Sequence, residues 1–434
     1  MRWLRRTVSM TAATALVVMA CSFGPAARPA GAGASSGTPY QCGDWYSEGS
    51  APVTIYSSVA LSGLHDAAAM AAGTLFALAI RPDGTVWGWG YNDMADLGVS
   101  PAATFFTNRA VQIPDLTDIV AISAQYYVAM ALRADGTVWT WGADDQNRRD
   151  ANGNTIWQPL QVAGLGGVVA ISAGGTNFMA LKGDGTVWTW GWDGQGQLGN
   201  GVAASQSYPT PMPVPGLSGV VAVSAGTQHS MALRNDGAVW VWGNNTHGQL
   251  GLGTFDYSQP TPAQVPGLSG VKAISAAYYH SLAILGDGSL RDWGSNYYGE
   301  LGDGTTKDRA SPQPVAGLGP VSAAQGGLFH TLVLLADGTL RTWGYNSMGQ
   351  LCQGPGTSNG PYAHPLPIPG SAGVTQIAAG EFMSLALVPD SSITTWPTAT
   401  PSPILPPGAT RRPAPQVAPR SLEGRHAAPQ VSPR

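Results

Sequence analysis

Arg234-Asn235-Asp236-Gly237-Ala238-Val239-Trp240-Val241-Trp242-Gly243 joins a turn signal to an alternating apolar run. Asn-Asp-Gly predicts a tight hairpin, because Gly supplies the φ > 0 that primed turns require. Side chains alternate faces along the strand that follows, so Trp240 and Trp242 point the same way. Working outward, residues 220–226 form an apolar strand ending in Gly, and residues 230–234 form the strand that enters the hairpin. Downstream, a polar loop over 244–253 leads to a short outer strand near Pro262-Ala263-Gln264-Val265, and Pro266-Gly267-Leu268 opens the next unit. One unit is therefore a four-stranded antiparallel sheet.

The unit recurs. Asp-Gly, with Trp-Gly six residues after the Asp, starts at Asp83, Asp135, Asp184, Asp236, Asp287 and Asp337 and reaches Trp89, Trp141, Trp190, Trp242, Trp293 and Trp343. A seventh copy, Asp390 to Trp396, keeps the spacing but carries Ser391 for Gly. The copies are 49 to 53 residues apart, and a fixed period of this size marks a repeat architecture. Seven such sheets predict an all-β, seven-bladed β-propeller over residues 35–397, with the Trp rows between blades. Composition agrees, since 58 Gly and 34 Pro make up 21% of 434 residues against roughly 12% on average. Only 11% of residues are charged, which excludes a coiled coil, while 44% hydrophobic residues and 15 Trp exclude disorder. The last unit stops after its third strand. Cys42-Gly43-Asp44-Trp45, then 51–55 and Gly63-Leu64, match a loop, an outer strand and a linker. Residues 42–64 are expected to supply the missing fourth strand and hide an open edge.

Ala225-Gly226-x-x-His229-Ser230, Asp236-Gly237-x-Val239-Trp240-x-Trp242-Gly243 and Gly248-Gln249-Leu250-Gly251-x-Gly253 together resemble the regulator of chromosome condensation repeat. The last motif also stands at 196–201, with variants at 299–304 and 349–354; unit 2 departs from it, running Ala143-Asp144-Asp145-Gln146-Asn147. The resemblance spans residues 42–396 and implies a propeller that binds proteins. Within this superfamily the chain is similar to the type II β-lactamase-inhibitory proteins, secreted bacterial members that hold an enzyme through aromatic residues at the bend between the first two strands. Their repeats are shorter, so the likeness concerns the surface and not the target. Nuclear members imply a different activity, guanine-nucleotide exchange. A hydrolase or lyase built on a propeller, or a cell-wall carbohydrate binder, would also be compatible with the architecture.

The ends differ from the body. Arg2, Arg5 and Arg6 precede an apolar run from Ala12 to Ala20, which predicts an export signal over residues 1–34. Two processing sites are open: cleavage after Ala30-Gly31-Ala32-Gly33-Ala34, or lipidation at Cys21, the one route by which a membrane would be engaged. Residues 398–434, rich in Pro, Ala, Arg and Ser, are expected to be a disordered tail. Between 35 and 396 the chain holds 12 Lys and Arg against 24 Asp and Glu, a net of −12. Such a body cannot neutralise many phosphates, so nucleic acid is not an expected partner.

No catalytic residue and no cofactor emerges. His229, His280 and His330 recur at the repeat period, so they occupy equivalent places around a ring and are not expected to converge on a metal. Asp150-Ala151-Asn152-Gly153-Asn154 has its Gly misplaced for a calcium loop and reads as a turn. The expected site is a protein-binding face. The bend between strands one and two shares a face with the loop after Trp-Gly, and the residues before the His position include Tyr127, Tyr279, Phe329 and Phe382. Tyr278, Trp192 and Tyr298 complete the candidate set, with an unidentified protein as partner and the chain as a monomer. On the other face, Arg81, Arg133, Lys182 and Arg234 are expected to be solvated beside their turn Asp residues. Cys42 and Cys352 are left as either a disulfide between neighbouring blades or two separate thiols.

Overall fold

The computed structural model describes residues 21–22, 36–45, 53–61, 63–143, 157–354 and 360–389. The proposed cleavage site, the 150–154 turn, the seventh Asp-to-Trp copy and the tail lie outside the described residues. Among the described residues there is no helix, and the strands form seven antiparallel blades, six of them from consecutive segments. Blade 4 shows the pattern: Val220–Ala225, His229–Arg234, Val239–Asn244 and an outer strand Ser258–Gln264. The outer strand begins four residues before the stretch the sequence suggested. It tolerates Pro260 and Pro262 because an edge strand leaves half its N–H groups unpaired anyway. Cys21–Ser22 runs parallel beside Ala273 and Ile274 of the inner strand of blade 5.

The hairpins depart from the sequence reading. Arg234 N–H donates to Ala238 O (2.9 Å) and Gly237 N–H to Arg234 O (3.0 Å), and of the turn residues only Gly237 has positive φ, at 80°. This is a three-residue hairpin with Gly at the bulge and not a primed two-residue turn. The turn Asp braces it from the side. In the Asp83 hairpin, Thr85 donates to the Asp83 carboxylate from both its backbone N–H (2.9 Å) and its hydroxyl (2.6 Å). Those two bonds hold the carboxyl of Asp83 below its usual range.

Closure also differs. The last blade is ordered Gln376–Ala379, Met383–Pro389, Gly37–Trp45, Val53–Ala60, so the N-terminal segment supplies two strands and not one. The register explains it. Cys42 faces Ser384 and Gly43 faces Met383, as Trp242 faces Ser230 and Gly243 faces His229 in blade 4. Tyr40-Gln41-Cys42-Gly43 is thus a degenerate Trp-x-Trp-Gly, occupying the place that residues 390–396 were expected to fill. Seven residue pairs join this strand to Met383–Pro389, which makes the seam a full ladder in mid-blade.

The apolar core lies between blades. Each of seven buried clusters is shared by two neighbours, and one joins Leu385 and Leu387 of the last blade to Ala77, Ala79 and Trp89 of the first. The Trp before the bulge Gly fills these interfaces, from Trp89 at 2% exposure to Trp242, Trp293 and Trp343 at 0%. In blades 1 to 4 a first Trp stands two residues earlier and is only partly buried, while blades 5 and 6 have Arg291 and Arg341 there. That Trp carries the basic residue of the hairpin on its face: Arg81 stands 4.3 Å from the Trp87 centroid, Arg133 4.7 Å from Trp139, and Lys182 3.9 Å from Trp188. The expectation of merely solvated ion pairs is corrected for these three, because the alternating strand brings that Trp ring back over the hairpin. Arg234, in contrast, does pair with its turn Asp236 at 3.2 Å, half-exposed, and stands 6.0 Å from Trp240.

A polar relay ties blade 4 through to blade 7. His229 Nε2 lies 2.9 Å from Ser281 Oγ, while Ser281 Oγ–H donates to Gln249 O (2.8 Å) and Trp293 Nε1–H donates to the same carbonyl (2.9 Å). Since the Ser hydrogen is committed, the His must donate from Nε2. The pattern repeats from His280 to Thr331 (3.1 Å) and from His330 to Ser384 (3.0 Å). The His, Ser, Trp and Gln of the repeat motifs are therefore one inter-blade device. Blade 2 lacks the Gln-Leu loop, and the indole N–H of Trp190 in blade 3 finds no partner among the described residues.

Blade 5 carries an exception. Asp292 is fully buried where blade 3 has Thr189, whose hydroxyl donates to Leu198 O at 2.7 Å. Neither Asp292 oxygen accepts a hydrogen bond among the described residues, and burial pushes its carboxyl well above the usual range, helped by nearby Glu300. A carboxyl raised on folding stabilises fully below its unfolded value near 4 and loses that contribution as pH rises. Asp292→Thr is therefore expected to stabilise the protein by about 1–3 kcal/mol at pH 8, with the gain shrinking toward pH 4. Urea melts at both pH values measure this, and a gain that does not depend on pH would refute the cause given.

Candidate protein-binding face

The bends after the inner strands and the loops after Trp-Gly form one end of the ring. The bend residue is fixed by the bulge Gly of the third strand. Gly294 has φ 112°, and a Cβ there would stand 2.7 Å from Tyr279 O, while Ser295 N–H donates to that same carbonyl at 3.0 Å. Gly344 and Tyr345 hold Phe329 the same way. The aromatic column is thus pinned through its backbone, leaving its side chains at the surface.

The face is apolar out of proportion. Of the eight large hydrophobic side chains exposed among the described residues, seven lie in these bends and loops, including Tyr297 at 73% and Tyr257 at 63%. Two groups stand out. Tyr298 packs against Phe329 (4.8 Å), Tyr345 (4.4 Å) and Tyr297 (4.8 Å), so four rings from blades 5 and 6 make one patch. At the ring axis, Tyr126 packs against Tyr127 at 4.5 Å, and farther out Tyr279 meets His247 of the blade 4 loop at 5.9 Å. Trp192 lies apart, folded over Gly194, and Phe382 is half-buried in the bend beside Glu381.

Tyr278 requires a correction. It is 3% exposed, and its hydroxyl accepts the Tyr126 N–H at 3.1 Å from across the ring. It closes the channel beneath the face and is not available to a partner. Sequence could not separate it from Tyr279, because adjacent residues in a bend differ in burial only through what crosses the axis. Tyr126, with φ 53° and 39% exposure, is the surface residue of the bends that sequence missed, and Phe105, Phe255 and Tyr257 are the aromatics it missed in the loops.

Other candidates resolve plainly. His229, His280 and His330 are each fully buried, and burial holds them down to about 3. Each reaches a hydroxyl of the next blade, as the relay requires, and they do not meet one another. Cys42 and Cys352 form a disulfide, with Cα atoms 5.5 Å apart.

Known proteins resemble this chain in both sequence and fold. The model of the regulator of chromosome condensation (RCC1) repeat matches residues 184–233, 236–284, 287–334 and 337–387, and a second model of that repeat begins at residue 168. The human E3 ubiquitin-protein ligase HERC2 is 32% identical over 243 residues, which is 54% of this chain but 5% of HERC2. The ultraviolet-B receptor UVR8 of Arabidopsis thaliana is 31% identical over 248 residues, 56% of each chain, so this chain spans about half of that relative. Among solved structures, yeast RCC1 (Prp20) bound to Kap60 superposes with TM-score 0.72 at 20% identity, covering 90% of this chain and 97% of that one. Human WBSCR16 gives 0.69 at 20% identity, over 81% and 99%. Four matched repeats within a ring of seven such blades carry the conclusion that this chain belongs to the regulator of chromosome condensation (RCC1) repeat family.

Proposed function

We propose that the protein is an exported, non-catalytic scaffold that holds a protein partner on its aromatic face. One observation carries the reading: seven of eight exposed large hydrophobic side chains gather at one end of the ring. Rigid aromatics in such a patch are the usual anchors of an interface. Solved relatives include yeast Prp20p, described with its binding to Gsp1p and histones, which supports a protein as the class of partner. Export is supported by the apolar run after Arg5-Arg6 and by the Cys42–Cys352 bridge, since disulfides persist in oxidising compartments.

The test is affinity capture from envelope and culture fractions with the tagged propeller. Tyr279→Ala or Phe329→Ala is expected to weaken capture at least about 30-fold, the equivalent of a 2 kcal/mol hot spot, with the melting temperature nearly unchanged. Arg133→Glu with Arg234→Glu, on the hairpin face, should alter little beyond salt dependence. Loss of capture in the charge reversals but not in the aromatic truncations would assign the wrong face.

A further inference from the structure

The seven bends place one residue each around the channel mouth, directly before the aromatic column: Thr74, Tyr126, Gly175, Thr227, Tyr278, Leu328 and Glu381. Only one of these is a carboxylate. Its backbone is fixed to blade 1 by Glu381 N–H donating to Gly73 O (3.3 Å), and the adjoining Thr74 N–H donates to Tyr126 O (2.8 Å). With the Tyr278 hydroxyl on Tyr126 N–H, blades 7, 1, 2 and 5 meet at this point.

Among the described residues the charge around it is one-sided. The bends and the loops 92–105, 193–206, 245–257, 295–308 and 345–354 hold eight acidic residues and one basic residue, Lys307. Asp96, Asp193 and Glu300 among them are buried, Asp303 pairs with Arg309 at 2.7 Å, and Asp308 with His247 at 2.8 Å. Of the remaining three, Asp93 and Asp256 are exposed in outer loops, while Glu381 alone stands at the axis, partly buried and with no cation partner among the described residues. Burial raises its carboxyl above the usual range, offset in part by Thr74. Burial, followed by the charge of Glu381, also raises the phenols of Tyr126, Tyr127 (to about 12) and Tyr279.

We propose that this mouth is a socket for a lysine or arginine side chain of the partner, seated on Glu381 between the rings of Tyr126, Tyr127 and Tyr279. A cation entering there would pair with a carboxylate already stripped of much of its water, and would lie against aromatic faces that attract positive charge. The buried Tyr278 supplies the floor, so the side chain cannot pass into the channel. The proposal rests on the protein-binding reading only in taking a protein as the source of the cation.

The probe is fluorescein-labelled hexalysine, titrated by anisotropy at low salt, with hexaglutamate as control. Wild type is expected to bind hexalysine alone. E381Q should weaken it at least 10-fold, whereas Asp256→Asn, which removes an equal charge from an outer loop of the same face, should change it less than 2-fold. Tyr126→Leu should weaken binding and Tyr126→Phe preserve it, which separates ring contact from loss of fold. Equal effects of E381Q and Asp256→Asn, or E381Q binding within 2-fold of wild type, would overturn the socket. If E381Q is without effect while Tyr279→Ala and Phe329→Ala destroy capture, the socket is wrong and the face is right. If E381Q abolishes hexalysine binding while the aromatic variants capture normally, the socket stands and the wider face reading fails.

Discussion

Replacing His229, His280 and His330 together by Asn is expected to reverse the order of stability between pH 7.5 and pH 5. Each imidazole is fully buried, donates from Nε2 to the next blade, and has no acceptor for a second proton at Nδ1 among the described residues. Burial accordingly lowers each from 6.5 to about 3. A group that folding holds neutral contributes its full stability above the unfolded value near 6.5, and that contribution is lost as pH falls toward the folded value. At pH 5 the loss is about 2 kcal/mol per ring and roughly 6 kcal/mol for three, at about 1.36 kcal/mol per unit. This is a large share of the 5–15 kcal/mol typical of folded domains.

The buried carboxyls oppose this trend. Asp96, Asp292 and Glu300 (raised to about 7) are all relieved as pH falls, so the wild-type curve alone is a sum of opposite slopes. The difference between wild type and the triple Asn variant isolates the histidines. Asn is the right replacement because Asn177 already stands at this place in blade 3, with Nδ2 3.5 Å from Ser230 Oγ. At pH 7.5 the variant should be the weaker protein, since it exchanges three bonds of 2.9–3.1 Å for longer ones. By pH 5 the gap should have closed by about 6 kcal/mol, read by tryptophan fluorescence in urea at each pH. Parallel curves for the two proteins would show that the rings titrate as easily folded as unfolded.

Reducing Cys42–Cys352 is expected to cost about 5 kcal/mol, because the bridge closes 310 residues of chain and loop entropy grows with the logarithm of length. For the 330 described residues at about 2.1 cal/mol/K each, the melting temperature should fall by roughly 7 °C. The geometry adds a sharper test. In the regular seams a Gly lies under the Trp of the next blade: a Cβ on Gly251 would stand 2.7 Å from Trp293 Nε1, and one on Gly302 2.8 Å from Trp343 Nε1. At the closing seam Cys42 takes the Trp place and Cys352 the Gly place, keeping the positive φ of 56°. A narrow apolar space beside the bridge is lined by Leu332, Leu340, Ile368 and Ala386. The double variant Cys42→Trp with Cys352→Gly should therefore rebuild a regular seam, recover most of the stability and ignore reductant. Cys42→Trp alone should clash with Cys352 and fall below the reduced wild type. A double variant no better than Cys42→Trp would mean that the seam is not equivalent to the others.

Asp236-Gly237, Trp240-x-Trp242-Gly243 and their period were sufficient for the blades, their number and the burial of the second Trp. These are local facts of turn chemistry and alternation, repeated often enough to be unambiguous. The same period identified the bend that carries Tyr127, Tyr279 and Phe329, because equivalent positions in a ring share a face. Cys352 was legible as a departure from Gly, but its bond to Cys42 depended on which strand of the last blade held Cys42.

What the period could not supply is everything that depends on meeting across the ring. Tyr40-Gln41-Cys42-Gly43 has no hairpin before it, since the chain enters the last blade there, so its place as a third strand follows only from pairing with Met383–Pro389. Tyr278 and Tyr279 are neighbours in sequence, yet one plugs the axis because Tyr126 arrives from blade 2, and the other stays at the surface. Glu381 is one acid among 25 Asp and Glu in the chain. Its isolation from any cation among the described residues, and its place in the contacts that link Gly73, Thr74, Tyr126 and Tyr278, exist only once blades 1, 2, 5 and 7 converge on the channel mouth. That convergence joins Glu381 to Gly73, far apart along the chain, and no local pattern encodes it.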